Sequence, residues 1–398
     1  MLLVQALVAA EPKVEFQPKR TWAFKEAGVK FNNEFSGARL NDCQQTVPTE
    51  FKLVISPENK PINPSPWYAF KVTAAVSTTI TVQITVTYTG SVLRPRLSRD
   101  GTHWTMLDPA SFSSKPKTRE AKAKLQVGPA PLWVAAQEMI GLKQLGAWTD
   151  EKARLPFARE SVIGKSIEHR PIRQIVFHDK AAPNYVFIIG RQHPPEVTGS
   201  IALMTFVDTL TGKTGLARRY RQQFRTVVIP LVNPDGVEHG HWRLNLGGTD
   251  LNRDWRAFAQ PETRAIRDTF LKLVNQPGAR PFVLLDFHST SSDIFYAQPD
   301  TSPTFPVKFT DRWLAAFQAR FSDYTFKRDD AHNARAATSK AWGYETFHIP
   351  AITYELGYNT DRSLIRKTVS SAAEEMMRLL LTEVGHDNPI PMRSNKNP

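Results

Sequence analysis

The chain has 398 residues, 41% of them apolar, which is enough for a sizeable core and for two domains or three small ones at roughly 100–200 residues each. Lys and Arg outnumber Asp and Glu by 51 to 38, a net charge of +13 that favours acidic partners, yet no dense Lys/Arg block with interleaved aromatics occurs and nucleic acid is not expected as a partner. No run of about 18 apolar residues is present, so no membrane insertion is expected, and the one cysteine, Cys43, excludes both an intramolecular disulfide and a cysteine-based metal site.

In chain order, residues 1–10 are an apolar run ending in small residues before Glu11-Pro12, similar to the end of a secretory signal peptide but without a basic start. It is read as a signal-peptide remnant or a disordered terminus, with a periplasmic or secreted location favoured over the cytoplasm. Residues 11–130 are expected to form an antiparallel β-sandwich. Phe51-Lys-Leu-Val-Ile55, Trp67-Tyr-Ala-Phe-Lys-Val72 and the strictly alternating, β-branched Thr79-Ile-Thr-Val-Gln-Ile-Thr-Val-Thr-Tyr88 are strand patterns, separated by Pro-, Asn- and Gly-rich turns. From about residue 131 to 385 the pattern changes. Apolar strands at Tyr185-Val-Phe-Ile-Ile189, Thr226-Val-Val-Ile-Pro-Leu-Val232, Pro281-Phe-Val-Leu-Leu-Asp-Phe287 and Ala351-Ile-Thr-Tyr-Glu355 alternate with helical stretches, about Pro195 to Leu210 and Arg264 to Val274. That alternation predicts an α/β domain with a mixed, mostly parallel sheet, whose sites form at the carboxyl ends of its strands. Residues 386–398 are expected to be a disordered tail.

Four polar clusters follow those four strands. In Arg191-Gln-His-Pro-Pro-Glu196, His193 and Glu196 are three apart at a strand-to-helix turn, so both could reach one point; an imidazole and a carboxylate are ordinary zinc ligands, and a chance surface pair has the same spacing. Asn233-Pro-Asp-Gly236 is a turn by composition. Arg243, Asn252 and Arg253, in Trp242-Arg243 and Asp250-Leu-Asn-Arg-Asp-Trp255, are donors able to hold a carboxylate or to make surface salt bridges. Asp286-Phe-His288-Ser289 and Thr353-Tyr-Glu355-Leu-Gly357 end apolar strands in a histidine and a carboxylate, the latter costly there without a partner or a task. Together these clusters supply two His, one Glu, a second Glu and three carboxylate-binding donors, the constellation for metal-assisted amide hydrolysis.

In that combination and order, over about residues 136–384, the motifs resemble the M14 family of zinc carboxypeptidases, in its cytosolic-carboxypeptidase-like branch. Phe31-Asn-Asn-Glu-Phe-Ser-Gly-Ala-Arg-Leu40, Trp67-Tyr-Ala-Phe-Lys-Val72, Arg94-Pro-Arg-Leu-Ser98 and Trp104 resemble the β-sandwich that precedes the catalytic domain in that branch. The resemblance implies one zinc ion held by His193, Glu196 and His288, with Asp250 accepting a hydrogen bond from His193. It implies Glu355 as general base, Arg243 as the donor that polarises the scissile carbonyl, and Asn252 and Arg253 as the anchor for the substrate's terminal carboxylate. The partners implied are C-terminal tails of peptides or proteins, acidic ones in this branch, and Lys340 or Arg335 would then face an acidic C-terminal side chain. Both cations are equally compatible with a solvent-facing role. The tyrosine that many members carry about twenty residues before the base is not evident here; Asn333 falls near that spot, and Tyr344 and Tyr324 are poorly spaced. Two other functions share much of this pattern: a zinc amidohydrolase acting on N-acyl amino acids, and a peptide-binding protein on an inactive peptidase scaffold.

Overall fold

A computed structural model describes residues 14–63, 67–114, 118–180 and 182–384; the expectations for residues 1–10 and 386–398 lie outside the described residues. The chain divides into two compact units. The first runs to Lys143 and takes in the short segments His193–Pro195 and Pro234–Thr249; the second holds the rest.

The first unit contains two sheets. One has the order β1 (Thr21–Phe24), β2 (Val29–Asn32), β5 (Ala69–Ala74), β11 (Leu132–Ala135), β7 (Arg96–Ser98) and β8 (Thr105–Met106). The other has β3 (Asp42–Val47), β4 (Glu50–Ile55), β6 (Thr78–Val86), β10 (Glu120–Val127) and β9 (Phe112–Ser114). Pairing is antiparallel except between β4 and β6. The alternation read in β6 is real, every second residue being buried, and β10 alternates in the same way. Phe31 from the first sheet meets Phe51 from the second with ring centres 5.1 Å apart, and Phe70 packs beside Phe31 at 5.8 Å. Because β11 pairs with β5 and β7, the sandwich extends past residue 130, where the change in composition had set its limit.

The second unit is built on an eight-stranded sheet in the order β12 (Ala158–Lys165), β13 (Pro171–Phe177), β15 (Phe224–Ile229), β14 (Asn184–Gly190), β16 (Arg280–Thr290), β19 (Ala351–Gly357), β17 (Ile294–Tyr296) and β18 (Lys327–Asp329). The central pairs β14/β15, β14/β16 and β16/β19 are parallel, as is β17/β18, whereas β12/β13, β13/β15 and β17/β19 are antiparallel. All seven residues of β14 are buried, which is why it reads as one apolar run: parallel strands covered on both faces have no polar side. On one face Phe187, Ile189, Val227 and Ile229 pack with Phe270 and Trp342; on the other Phe206 of the helix Val197–Leu210 meets Phe287 at 5.5 Å. Each such side chain contributes about 1.5–3 kcal/mol relative to exposure. The strand order turns at β14. The chain leaves it for β15 on one side and later returns to β16 on the other, the switch point where open α/β sheets place their sites. No helix among the described residues is long and apolar enough to cross a membrane.

Candidate metal centre

The carboxyl end of β14 leads straight into the first cluster. Arg191 takes a left-handed conformation, φ 57°, uncommon for a non-glycine residue, and turns the chain. Its buried guanidinium donates to Ser200 Oγ at 2.8 Å and is lowered to about 10 by burial, with Glu196 opposing that fall. Glu196 then occupies the N-cap position of the helix Val197–Leu210 without capping it. Ser, Thr, Asp or Asn would stabilise that helix start better. The Glu196 carboxylate instead lies 2.7 Å from Nδ1 of His288.

His288 does not follow its strand and Glu355 does not end its own, as the apolar runs suggested; both lie within them. The β16/β19 ladder continues to Thr290 and Gly357 and pairs His288 with Glu355 directly. Residues in register on neighbouring strands leave the same face, and positions two apart share it. Asp286, His288, Thr353 and Glu355 therefore line one face, with Phe287, Tyr354 and Leu356 turned to the apolar other. Antiparallel pairing of Tyr296 with Thr353 and Ile294 with Glu355 brings Tyr296 to that same face.

His193, Glu196 and His288 are all buried, and one ligand atom from each lies within 4.8 Å of the others. The donor set fits a zinc ion: two imidazoles and a carboxylate are a usual three-ligand set that leaves a coordination position open. The surroundings of His288 fit as well. Its Nε2 is 2.8 Å from Asp286 Oδ2 and its Nδ1 is 2.7 Å from Glu196 Oε2, so each ring nitrogen faces a carboxylate that can only accept; with a metal held at Nδ1, Asp286 would take the Nε2–H. Burial works against charge on this ring, but the Asp286 and Glu196 carboxylates outweigh it and hold its pKa well above the ordinary value. Asp286 Oδ2 is fixed in turn by Gln192 Nε2 at 2.6 Å and by the Ser339 hydroxyl, while Trp255 Nε1 donates to Gln192 Oε1 at 2.9 Å.

The remaining expected residues stand as follows. Asp250 caps the short turn Leu251–Arg253 by accepting from the Asn252 amide. Asn252 is buried; its Oδ1 accepts from the Ser339 amide at 3.0 Å and its Nδ2 is 3.4 Å from His288 Nε2. Arg253 is half-buried and donates to the Asn252 carbonyl. Arg243 is half-buried between the buried Trp242 and Leu244. Lys340 is buried, and its ammonium donates to the carbonyls of Ala297 at 3.1 Å and His332 at 3.0 Å; burial lowers it to about 8 against the pull of Asp329 and Asp330. Arg335 is exposed. Asp286, Gln192 and Tyr296 had no role from sequence. Asp286 was open to discovery, since a strand places it two positions from His288 on the same face. Tyr296 was not, because its neighbourhood is tertiary: its ring stacks on His332 at 4.0 Å, and burial, then Glu355 and Asp329, push its phenol up to about 12.

Fold and donor set together define a mixed α/β protein with a two-histidine, one-glutamate cluster that could hold a metal ion, beside the switch point of its sheet. The sequence pattern of the zinc carboxypeptidase family, peptidase M14, matches residues 146–378, more than half of the chain. The chain belongs to that family, in its cytosolic-carboxypeptidase-like branch. It is 27% identical over 158 residues to cytosolic carboxypeptidase 6 of Caenorhabditis elegans, covering 37% of this chain and 34% of the relative. It is 36% identical over 110 residues to cytosolic carboxypeptidase 4 of Homo sapiens, covering 27% and 10%. The chain thus spans about a third or less of the length of these curated relatives. Among solved structures, a metallo-carboxypeptidase from Pseudomonas aeruginosa in complex with (2-guanidinoethylmercapto)succinic acid shares the fold at TM-score 0.74 and 18% identity, over 89% of this chain and 99% of that one. One from Burkholderia cenocepacia does so at 0.72 and 18%, over 89% and 98%.

Proposed function

We propose that the chain is a zinc metallocarboxypeptidase that hydrolyses the C-terminal peptide bond of peptides or protein tails, with a preference for acidic C-terminal residues. The observation that carries this reading is the buried His193, Glu196 and His288 cluster, with Glu355 in register beside His288. Zinc bound there would supply Lewis acidity and bring the pKa of a water from about 15.7 to about 7. Glu355 takes a proton from the attacking water and returns it to the leaving amine. Arg243 meets the charge that develops on the carbonyl oxygen. Arg253 and Asn252 hold the terminal carboxylate, and Asp250 orients His193. Lys340, with two of its three N–H groups on backbone carbonyls, offers the third to an acidic side chain, while exposed Arg335 adds positive charge nearer solvent.

Purified protein is expected to carry about one zinc, and Glu355→Gln to keep the metal while losing on the order of 10²–10⁴ in kcat. Metal analysis with hydrolysis of peptides differing only in their last residue checks both. A well-folded wild type that takes up no zinc would overturn catalysis and favour a peptide-binding protein. Cleavage of N-acetylaspartate with no cleavage of peptides ending in Glu would replace the peptidase by an amidohydrolase of N-acyl amino acids.

A further inference from the structure

Glu58 follows β4 in the first unit, where nothing in the sequence suggested chemistry. It is fully buried, and its carboxylate accepts three consecutive backbone N–H groups: Trp242 at 2.7 Å, Arg243 at 2.9 Å and Leu244 at 2.8 Å. A buried carboxylate is costly unless it is fully compensated, and charge-assisted bonds of this kind are the strong ones. Arg39, also buried, supplies opposite charge that acts on Glu58 while its Nε donates to the Ser56 carbonyl. The segment is held at other points too. Trp242 Nε1 donates to the Trp67 carbonyl, and Gln17 Nε2 to the His239 carbonyl. Gly240, at φ 62°, runs so close to Ala38 that a Cβ there would lie 2.6 Å from its carbonyl oxygen. The segment Pro234–Thr249 thus lies inside the stretch that matches the peptidase family, yet folds with the sandwich.

We propose that Glu58 is a positioning residue for Arg243: by fixing the amide of Arg243 and those on either side, the β-sandwich sets where that guanidinium meets substrate. The proposal rests on the reading of Arg243 as the group that meets the carbonyl oxygen. It gives the sandwich a part in catalysis and explains why a carboxylate is buried at a site with no chemistry of its own. A misplaced donor loses its value in the transition state more than in the ground state.

Glu58→Gln keeps the volume and removes the charge. In the full-length protein it is expected to lower kcat about 10- to 100-fold, the cost usual for loss of a supporting partner, with KM and zinc content little changed. Glu58→Asp keeps the charge and should recover part of the loss; it is read in its place if the Gln variant does not fold. Hydrogen exchange of the Trp242, Arg243 and Leu244 amides should accelerate in Glu58→Gln. In a double-mutant cycle, Glu58→Gln should cost little on an Arg243→Ala background, which alone is expected to lose about 10²–10³ in kcat. Losses that multiply, a change in KM alone, or unaltered amide exchange would overturn the proposal. If Arg243→Ala keeps full kcat, the role of Arg243 fails instead, and exchange at the three amides still decides whether Glu58 anchors the segment.

Discussion

Asp286 faces Nε2 of His288 and would take the Nε2–H of a ring that holds a metal through Nδ1. Its Oδ2 lies 2.8 Å from Nε2, and Gln192 and Ser339 hold that oxygen in place, so the ring cannot flip without breaking a buried network. Asp286→Ala is therefore expected to weaken zinc affinity about 10- to 100-fold, measured by competition with a chelator of known affinity. Unchanged affinity would mean that the strand alone orients the ring. Glu196 shows the same preference for function over local stability: it occupies a helix start that it does not cap. Residue type brought the candidate metal ligands into view early, because zinc accepts so few side chains and one cysteine leaves only His and carboxylates. Generic residue types hid the others. Nothing in the residues around Glu58 or Tyr296 distinguishes them until the chain has folded.

At the level of elements, the site depends on the helix Val197–Leu210 lying against β16. Gly199 and Ser289 make the contact: the Gly199 amide donates to Ser289 Oγ at 2.8 Å, and the Thr198 hydroxyl donates to the same oxygen at 2.7 Å. A Cβ on Gly199 would lie 2.6 Å from the His288 carbonyl oxygen, a backbone atom that cannot swing aside. Gly199→Ala should therefore push helix and strand apart and separate Glu196 from His288. The expected cost is about 1–3 kcal/mol of stability together with weaker zinc binding, read by thermal unfolding and metal titration. Stability and affinity both at the wild-type level would show that the helix start shifts without disturbing the strand. The elements themselves were legible in proportion to their burial. β14, β15, β16 and β19 form the covered centre of the sheet and announce themselves as apolar runs. β12 does not: it is an edge strand of exposed and charged residues with a bulge between Val162 and Gly164. β17 and β18 have three residues each, too short for any periodicity. The strand ends were set too early because His288 and Glu355 are polar, whereas hydrogen bonding between the strands continues past them.

For the molecule as a whole, the net charge of +13 and the lysine of the proposed specificity site would both favour acidic tails, at different ranges. The overall charge acts on approach, through solvent, and is screened: the Debye length falls from about 10 Å at 0.1 M salt to about 3 Å at 1 M. Lys340 would act at contact, from a buried position that salt reaches poorly. Burial lowers its pKa to about 8, so its charge is present below that pH and is lost as pH rises through it. The two contributions can therefore be separated with one pair of peptides ending in Glu and Leu, each carried on an acidic or a neutral tail. Raising salt at pH 7 should lower kcat/KM for the acidic tail while the ratio of Glu to Leu at the last position stays nearly constant. Raising pH through about 8 at fixed salt should lower that ratio, and Lys340→Ala should remove its pH dependence. If salt instead abolishes the ratio and pH leaves it unmoved, the preference comes from exposed cations such as Arg335, and Lys340 serves only to tie the carbonyls of Ala297 and His332 together.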